Sequence, residues 1–207
     1  MKKTSLVLAT RNSGKIKEIK ALLEGLPFEV CSVENFPGCP ESEEPYSTYK
    51  ENAFDKAKVV GDFCQTWALA DDSGLEIDAL EGAPGVLSAR YAGPGATYRD
   101  NWEKVLQEMA KVPLEKRDAR FYCCMVLYHP SGKFFQTLGV LPGVINTIAQ
   151  GEKGFGYDPI FFLPERNRTM AQMDLQEKNK ISHRTKALEA MLTHLKAISK
   201  NSSELSS

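Results

Sequence analysis

Ser5-Leu-Val-Leu-Ala-Thr10, continued by Arg11-Asn-Ser-Gly-Lys15 and then by Ile16, Ile19, Leu22 and Leu23, decides the fold class. A short apolar run closed by a polar turn reads as a buried strand. Asn12, Ser13 and Gly14 form the turn. The apolar residues after it recur at helical spacing, and Gly25 stops that helix. Strand, tight turn and helix in direct succession open an α/β architecture.

The same punctuation continues along the chain. Phe28 to Val33 reads as a second strand, and Pro37 to Pro45 as a turn-rich acidic loop. Tyr49, Ala53, Ala57 and Val60 mark a helix from Ser47 to Cys64, with Glu51 available for a capping box. Trp67 to Ala70 reads as a strand ending at Asp71 and Asp72, and Leu75 to Ala79 resumes extended structure. A Gly- and Pro-rich loop follows from Glu81 to Pro94, then a helix from Thr97 to Ala110. Arg120 to Tyr128 and Lys133 to Gly139 flank His129-Pro-Ser-Gly132, a hairpin signal. Further strands are expected at Gly143 to Ile148 and, after the Gly151 to Pro159 turn, at Ile160 to Leu163. Ser182 to Ser199 reads as the last helix. Alternating strands and helices followed by a hairpin predict α/β with a mixed β-sheet flanked by helices. Residues 1–200 are expected to form one domain, and 201–207 a flexible tail.

Composition bounds the function. The chain has 207 residues, 42% hydrophobic and 26% charged, which is ordinary globular composition. Lys+Arg number 26 against 27 Asp+Glu, a net charge of −1. A near-neutral chain is no bulk binder of nucleic acid or acidic membrane, so any anion must meet a local cluster. No apolar stretch is long enough to span a bilayer, and Ser5 to Thr10 is too short for a signal-peptide core. The cytoplasm is the expected compartment. The five cysteines are odd in number and lack metal-ligand spacing, so reduced thiols are expected.

Four clusters carry possible chemistry. Thr10, Arg11, Asn12, Ser13, Gly14 and Lys15 put a helix N-terminus and a point charge where a phosphate binds well. It is not a Walker loop: Ala9 stands at the first Gly and Ile16 at the magnesium-binding Ser/Thr. Glu41, Glu43 and Glu44 crowd the acidic loop and matter if they meet another carboxylate. Asp71 and Asp72 close a strand before Ser73-Gly74. A turn needs one aspartate, and the second suits a hard cation or a proton transfer from water. The last cluster comes in two pieces. In Gly154-Phe-Gly-Tyr-Asp-Pro159 the ring of Phe155 or Tyr157 can stack on a base. The second piece gathers Lys178, Lys180, His183, Arg184 and Lys186 at a helix start. Together these fit a magnesium-dependent enzyme acting on a nucleotide polyphosphate. A nucleotide sensor has no use for Asp71-Asp72, and the single short basic patch is poor for RNA binding.

The clusters, in order, resemble the Ham1/inosine triphosphate pyrophosphatase family of nucleotide house-cleaning enzymes. The matching stretches are Leu8 to Lys15, Glu44 with Glu51-Asn-Ala53, Ala70-Asp-Asp-Ser-Gly-Leu75, Gly82-Ala-Pro-Gly85 with Ser88-Ala-Arg-Tyr91, Gly154 to Pro159, and Ile181-Ser-His-Arg184. Tyr46 departs from the pattern, standing where bacterial members usually carry Gly. The resemblance implies hydrolysis of ITP, dITP or XTP to the monophosphate and pyrophosphate, with Mg²⁺, by a homodimer. It implies a two-lobed fold with a long mixed sheet and the substrate cleft between lobes. It implies Asp72 as proton acceptor and metal ligand, with Glu44, or its neighbour Glu43, as the other ligand. Thr10 to Lys15 would wrap the triphosphate. Ser73, Phe155, Gly156, Tyr157, Asp158, Lys178, His183 and Arg184 would contact the substrate.

Overall fold

The computed structural model describes residues 3–204. It contains a seven-stranded sheet in the order β2-β1-β3-β4-β5-β6-β7. The strands are β1 (Thr4–Leu8), β2 (Phe28–Ser32), β3 (Trp67–Ile77), β4 (Asp118–Tyr128), β5 (Phe134–Ile145), β6 (Phe161–Leu163) and β7 (Arg168–Thr169). The helices are α1 (Ser13–Leu23), α2 (Tyr49–Cys64), α3 (Tyr98–Glu108), α4 (Leu175–Lys178) and α5 (His183–Glu204). β1 pairs in parallel with β2 and β3, whereas β5-β6 and β6-β7 are antiparallel, so the sheet is mixed as expected.

The chain divides into two compact units. The first comprises Met1–Asp72, Cys123–Gly139 and Arg184–Ser207; the second comprises Ser73–Tyr122 and Val140–His183.

In the first unit β1 lies between two parallel neighbours, which explains its unbroken apolar run: Leu6, Val7 and Leu8 are all fully buried. Ile19 and Leu23 of α1, Cys123, Met125 and Leu127 of β4, and Ala187, Leu188, Met191, Leu195 and Ile198 of α5 complete that core. Helix α1 is capped by Asn12, whose side chain accepts from Lys15 N at 3.1 Å. Helix α2 is capped by Thr48, whose hydroxyl accepts from Glu51 N. The expected capping box forms in modified guise: Glu51 Oε2 accepts from the Thr48 hydroxyl at 2.6 Å. Helix α5 runs to Glu204, beyond the expected end at Ser199 and into the expected tail. The rest of that tail, 205–207, lies outside the described residues.

In the second unit a separate core gathers Leu75, Ile77, Val105, Met109, Phe121, Ile145, Ile160, Phe161, Met170 and Met173. Arg117, almost wholly buried, staples it. Its guanidinium donates to the carbonyls of Ile145, Met109, Val112 and Asn146 at 2.7 to 3.1 Å.

Two strand readings change in kind, beyond shifts of element ends. Asp71, Asp72 and Ser73 are interior to the continuous β3, not in a turn between two strands. The separate strand expected from Gly143 is the end of β5. A Cβ on Gly143 would come within 2.6 Å of the Phe161 ring, so the glycine marks a close approach inside a strand. All five cysteines are free thiols, and among the described residues no helix is long and apolar enough to cross a membrane.

Candidate active site

The first unit carries two charge networks, one on each aspartate of β3. Successive strand residues face opposite ways, which separates Asp71 from Asp72. Asp71, 1% exposed, binds Arg184 and Lys15: its Oδ2 lies 3.1 Å from Arg184 Nη2 and 3.0 Å from Lys15 Nζ. Arg184 also donates to Glu18 on α1. Burial alone would depress the Arg184 pKa, but the charges of Asp71 and Glu18 outweigh it and hold it above the ordinary arginine value. The four groups are two cations and two carboxylates, so this buried cluster is charge-balanced.

The second network is not balanced. Lys56 Nζ lies 2.8 Å from Glu44 Oε1 and 3.1 Å from Asp72 Oδ1. Burial opposes the ammonium, yet Asp72, Glu44 and Asp71 together raise the Lys56 pKa. Burial also raises the Asp72 pKa, outweighing the opposing pull of Lys56 and Lys15. One ammonium between two carboxylates leaves a negative charge on hard oxygen ligands. That donor set fits a divalent cation of the magnesium type, with Lys56 as an internal stand-in. Glu44 reaches the cluster, whereas Glu43 is exposed. Among the described residues there is no group of three or more His, Cys, Asp or Glu that could hold a metal.

The turn expected to bind phosphate, Thr10 to Lys15, lies in the same unit. Thr10 Oγ1 accepts from Asn12 N at 3.2 Å, and Asn12 caps α1. The other amides of the first helical turn have no carbonyl within the helix to bind, as anion binding requires. Ser13 is exposed, and Gly14 and Lys15 are half-buried. Arg11 is tied to the acidic loop through Cys39 O at 2.9 Å and Glu41 at 3.5 Å.

The second unit holds the remaining candidates. In the loop around Gly156, Phe155 N donates to Asp158 Oδ2 at 2.9 Å, and Lys178 Nζ meets the same oxygen at 2.5 Å. Asp158 and Lys178 are 2% and 3% exposed. Gly154 has φ +78, and a Cβ there would lie 2.1 Å from Asp158 Oδ2. The glycine is therefore required by the hydrogen-bonded loop itself. The Lys178 ammonium sits over the Phe155 ring at 4.5 Å, and the Tyr98 ring lies 6.1 Å from it. Phe155 is half-buried and available for stacking. Tyr157 is not: its ring is buried and its hydroxyl donates to Ser88 O at 2.8 Å. Of the two rings considered for base stacking, Phe155 is thus the more exposed. His183 stacks on Phe121 with centroids 4.8 Å apart. Ser73 is half-buried in β3, directly after Asp72.

A profile of the Ham1 family matches residues 6–194. The chain belongs to the Ham1 family. Among curated Ham1 relatives, a dITP/XTP pyrophosphatase of Geobacter sulfurreducens is 50% identical over 93% of this chain and 96% of its own. One of Desulforamulus reducens, with the same name, is 48% identical over 88% and 91%. Among solved Ham1 structures, that from Coxiella burnetii superposes with a TM-score of 0.85 at 42% identity, covering 94% of this chain and 99% of its own. The Staphylococcus aureus Ham1 protein gives 0.83 at 35%, covering 93% and 98%.

Sequence reasoning missed Lys56 and Glu18 as members of the site and gave Asn52 no role. Their helical spacing was the available signal. Lys56 follows Asn52 by one turn on α2, and Glu18 follows Lys15 by three residues on α1.

Proposed function

We propose that this Ham1 protein hydrolyses the deaminated purine nucleotides ITP, dITP and XTP to the nucleoside monophosphate and pyrophosphate. The observation that carries the reading is the excess of carboxylate around Lys56, in the same unit as Lys15 and the capped N-terminus of α1. A cation site next to a polyphosphate-binding turn is what a triphosphate needs. The relatives' common name, dITP/XTP pyrophosphatase, supports the choice of bond and base.

In this reading Thr10 to Lys15 bind the triphosphate through main-chain amides and the Lys15 ammonium. Glu44 and Asp72 hold Mg²⁺, which supplies charge compensation to the polyphosphate and acidifies water. Asp72 takes the proton of the attacking water. The water oxygen bonds to the α-phosphorus, the bond from that phosphorus to the α–β bridging oxygen breaks, and pyrophosphate leaves with the electron pair. Phe155 stacks on the base, while Ser73, Gly156, Tyr157, Asp158, Lys178 and His183 shape and line its site. Arg184, locked between Glu18 and Asp71, is electrically compensated. Held in a fixed orientation by both carboxylates, its guanidinium serves as a directional donor to the 6-oxo group. A donor there rejects the 6-amino group of adenine, at about 1–3 kcal/mol per mismatched group.

The cytoplasm is the compartment this reading assigns. The assembly it assigns is a homodimer; Phe134 and Leu138, exposed on one face of β5, suit burial against a second copy. Light scattering at micromolar concentration tests the dimer. Chromatography of the products from ITP tests the bond: IMP with pyrophosphate is expected, and IDP with inorganic phosphate would overturn the assignment.

A further inference from the structure

Asn52 lies on α2 and is 1% exposed. Its Oδ1 accepts from Tyr46 N at 3.0 Å. Its Nδ2 donates to Tyr46 O at 3.1 Å and to Asp72 Oδ2 at 3.3 Å. One buried amide thus closes both main-chain groups of the residue two positions after Glu44 and holds one carboxylate oxygen of Asp72. The other oxygen of Asp72, Oδ1, is the one that meets Lys56.

The Glu44 loop needs such a clamp. Glu44 itself sits at φ +50, a conformation unfavourable for a non-glycine residue, within a largely exposed segment. Strained residues persist where surrounding bonds over-determine them. Here α2 grips the loop on both sides of Glu44. Tyr46 is held by Asn52, and Ser42, which accepts from Glu44 N at 3.3 Å, donates to Asp55 at 2.7 Å. Both Asn52 bonds to Tyr46 go to the main chain, and Tyr46 has no positive φ. The loop's attachment therefore does not depend on the Tyr46 side chain.

We propose that Asn52 is a positioning residue that sets the separation of Glu44 and Asp72, and through it the affinity for the divalent cation. The proposal rests on the reading of Glu44 and Asp72 as cation ligands. A side chain that only packed the helix could be lost without changing metal affinity. A side chain that orients ligands typically changes it about 10- to 100-fold.

The test is Mn²⁺ binding to the full-length protein without nucleotide, measured from the electron paramagnetic resonance signal of free Mn²⁺. Asn52→Ala is expected to raise the Mn²⁺ Kd about tenfold or more, and raised Mg²⁺ is expected to restore most of kcat. Asn52→Ser, which keeps a small polar group, gives an intermediate Kd and covers the case in which the alanine variant fails to fold. Glu44→Gln and Asp72→Asn identify which statement fails. If both weaken Mn²⁺ binding while folded Asn52→Ala and Asn52→Ser bind like wild type, the positioning role is overturned and the ligand reading stands. If neither Glu44→Gln nor Asp72→Asn changes the Kd, the ligand reading falls and the Asn52 role falls with it.

Discussion

Asp71 and Asp72 are adjacent on β3 yet serve different networks: Asp71 Oδ2 lies 3.1 Å from Arg184 Nη2, and Asp72 Oδ1 lies 3.1 Å from Lys56 Nζ. Strand alternation alone produces this division. It makes one aspartate part of a balanced buried cluster and the other part of an acidic one, so the two are separable by experiment.

Asp72→Asn is expected to keep the fold and lower kcat by at least about 100-fold, the usual scale for losing a positioned base. Asp71→Asn is expected to act on stability. It leaves Arg184 beside a single carboxylate, and breaking a buried charge pair costs about 3–5 kcal/mol. Steady-state kinetics and urea unfolding of both variants check the division. Equal effects of the two substitutions on both readouts would contradict it.

Arg184→Ala is expected to shrink the ratio of kcat/KM for ITP to that for ATP by about 10-fold or more, the worth of one mismatched buried donor. It also leaves Glu18 and Asp71 without their shared partner, so its urea midpoint should fall. The kinetic ratio is the informative number, because instability lowers both rates alike. An unchanged ratio would make Arg184 a phosphate ligand.

Gly154→Ala places a methyl group at φ +78 against Asp158. Moving Asp158 disturbs its contacts with Phe155 N and Lys178. The expected outcome is a raised KM for ITP with little change in the inhibition constant of tripolyphosphate, which carries no base. A backbone strain of about 1–3 kcal/mol should appear in thermal unfolding.

The thiols set an alkaline limit on stability. Burial pushes the Cys64 and Cys124 thiols up to about 11, well above the ordinary thiol value. A raised folded pKa means that stability is fully present below the unfolded value and lost as pH rises through the folded one. The urea midpoint should therefore decline between pH 9 and 11. Cys64→Ser and Cys124→Ser should each flatten that decline, whatever their effect at pH 8. A slope unchanged in both variants would assign the decline to other groups.

Much of the fold is legible in local pattern. The β1–α1 opening, α2, α3, the hairpin around Gly132 and α5 all follow from apolar periodicity and turn residues. The failures have physical causes. Ser73-Gly74 reads as a turn, but the pairing of β3 carries the strand through it. Gly143 reads as a strand start, but it makes room for the Phe161 ring. β7 and α4, at two and four residues, are too short to show periodicity.

The site divides the same way. Lys15, the paired Asp71-Asp72 and the Glu41 to Glu44 carboxylates stand out by type and placement, whereas the choice of Asp72 and Glu44 among them rests on the family resemblance. Lys56 looks like any surface lysine until its two carboxylates arrive from 12 and 16 residues away. Glu18 looks like the polar face of α1 until Arg184, 166 residues later, is packed against it. Long-range partners are what local periodicity does not encode.

A base-selective, cation-dependent pyrophosphatase is distinguished from other phosphohydrolases by initial rates of pyrophosphate release from dITP, ITP, XTP, GTP, ATP and dTTP, with Mg²⁺ and then with EDTA. Release confined to the first three and abolished by EDTA is expected. Comparable release from all six, or release that persists in EDTA, would contradict it.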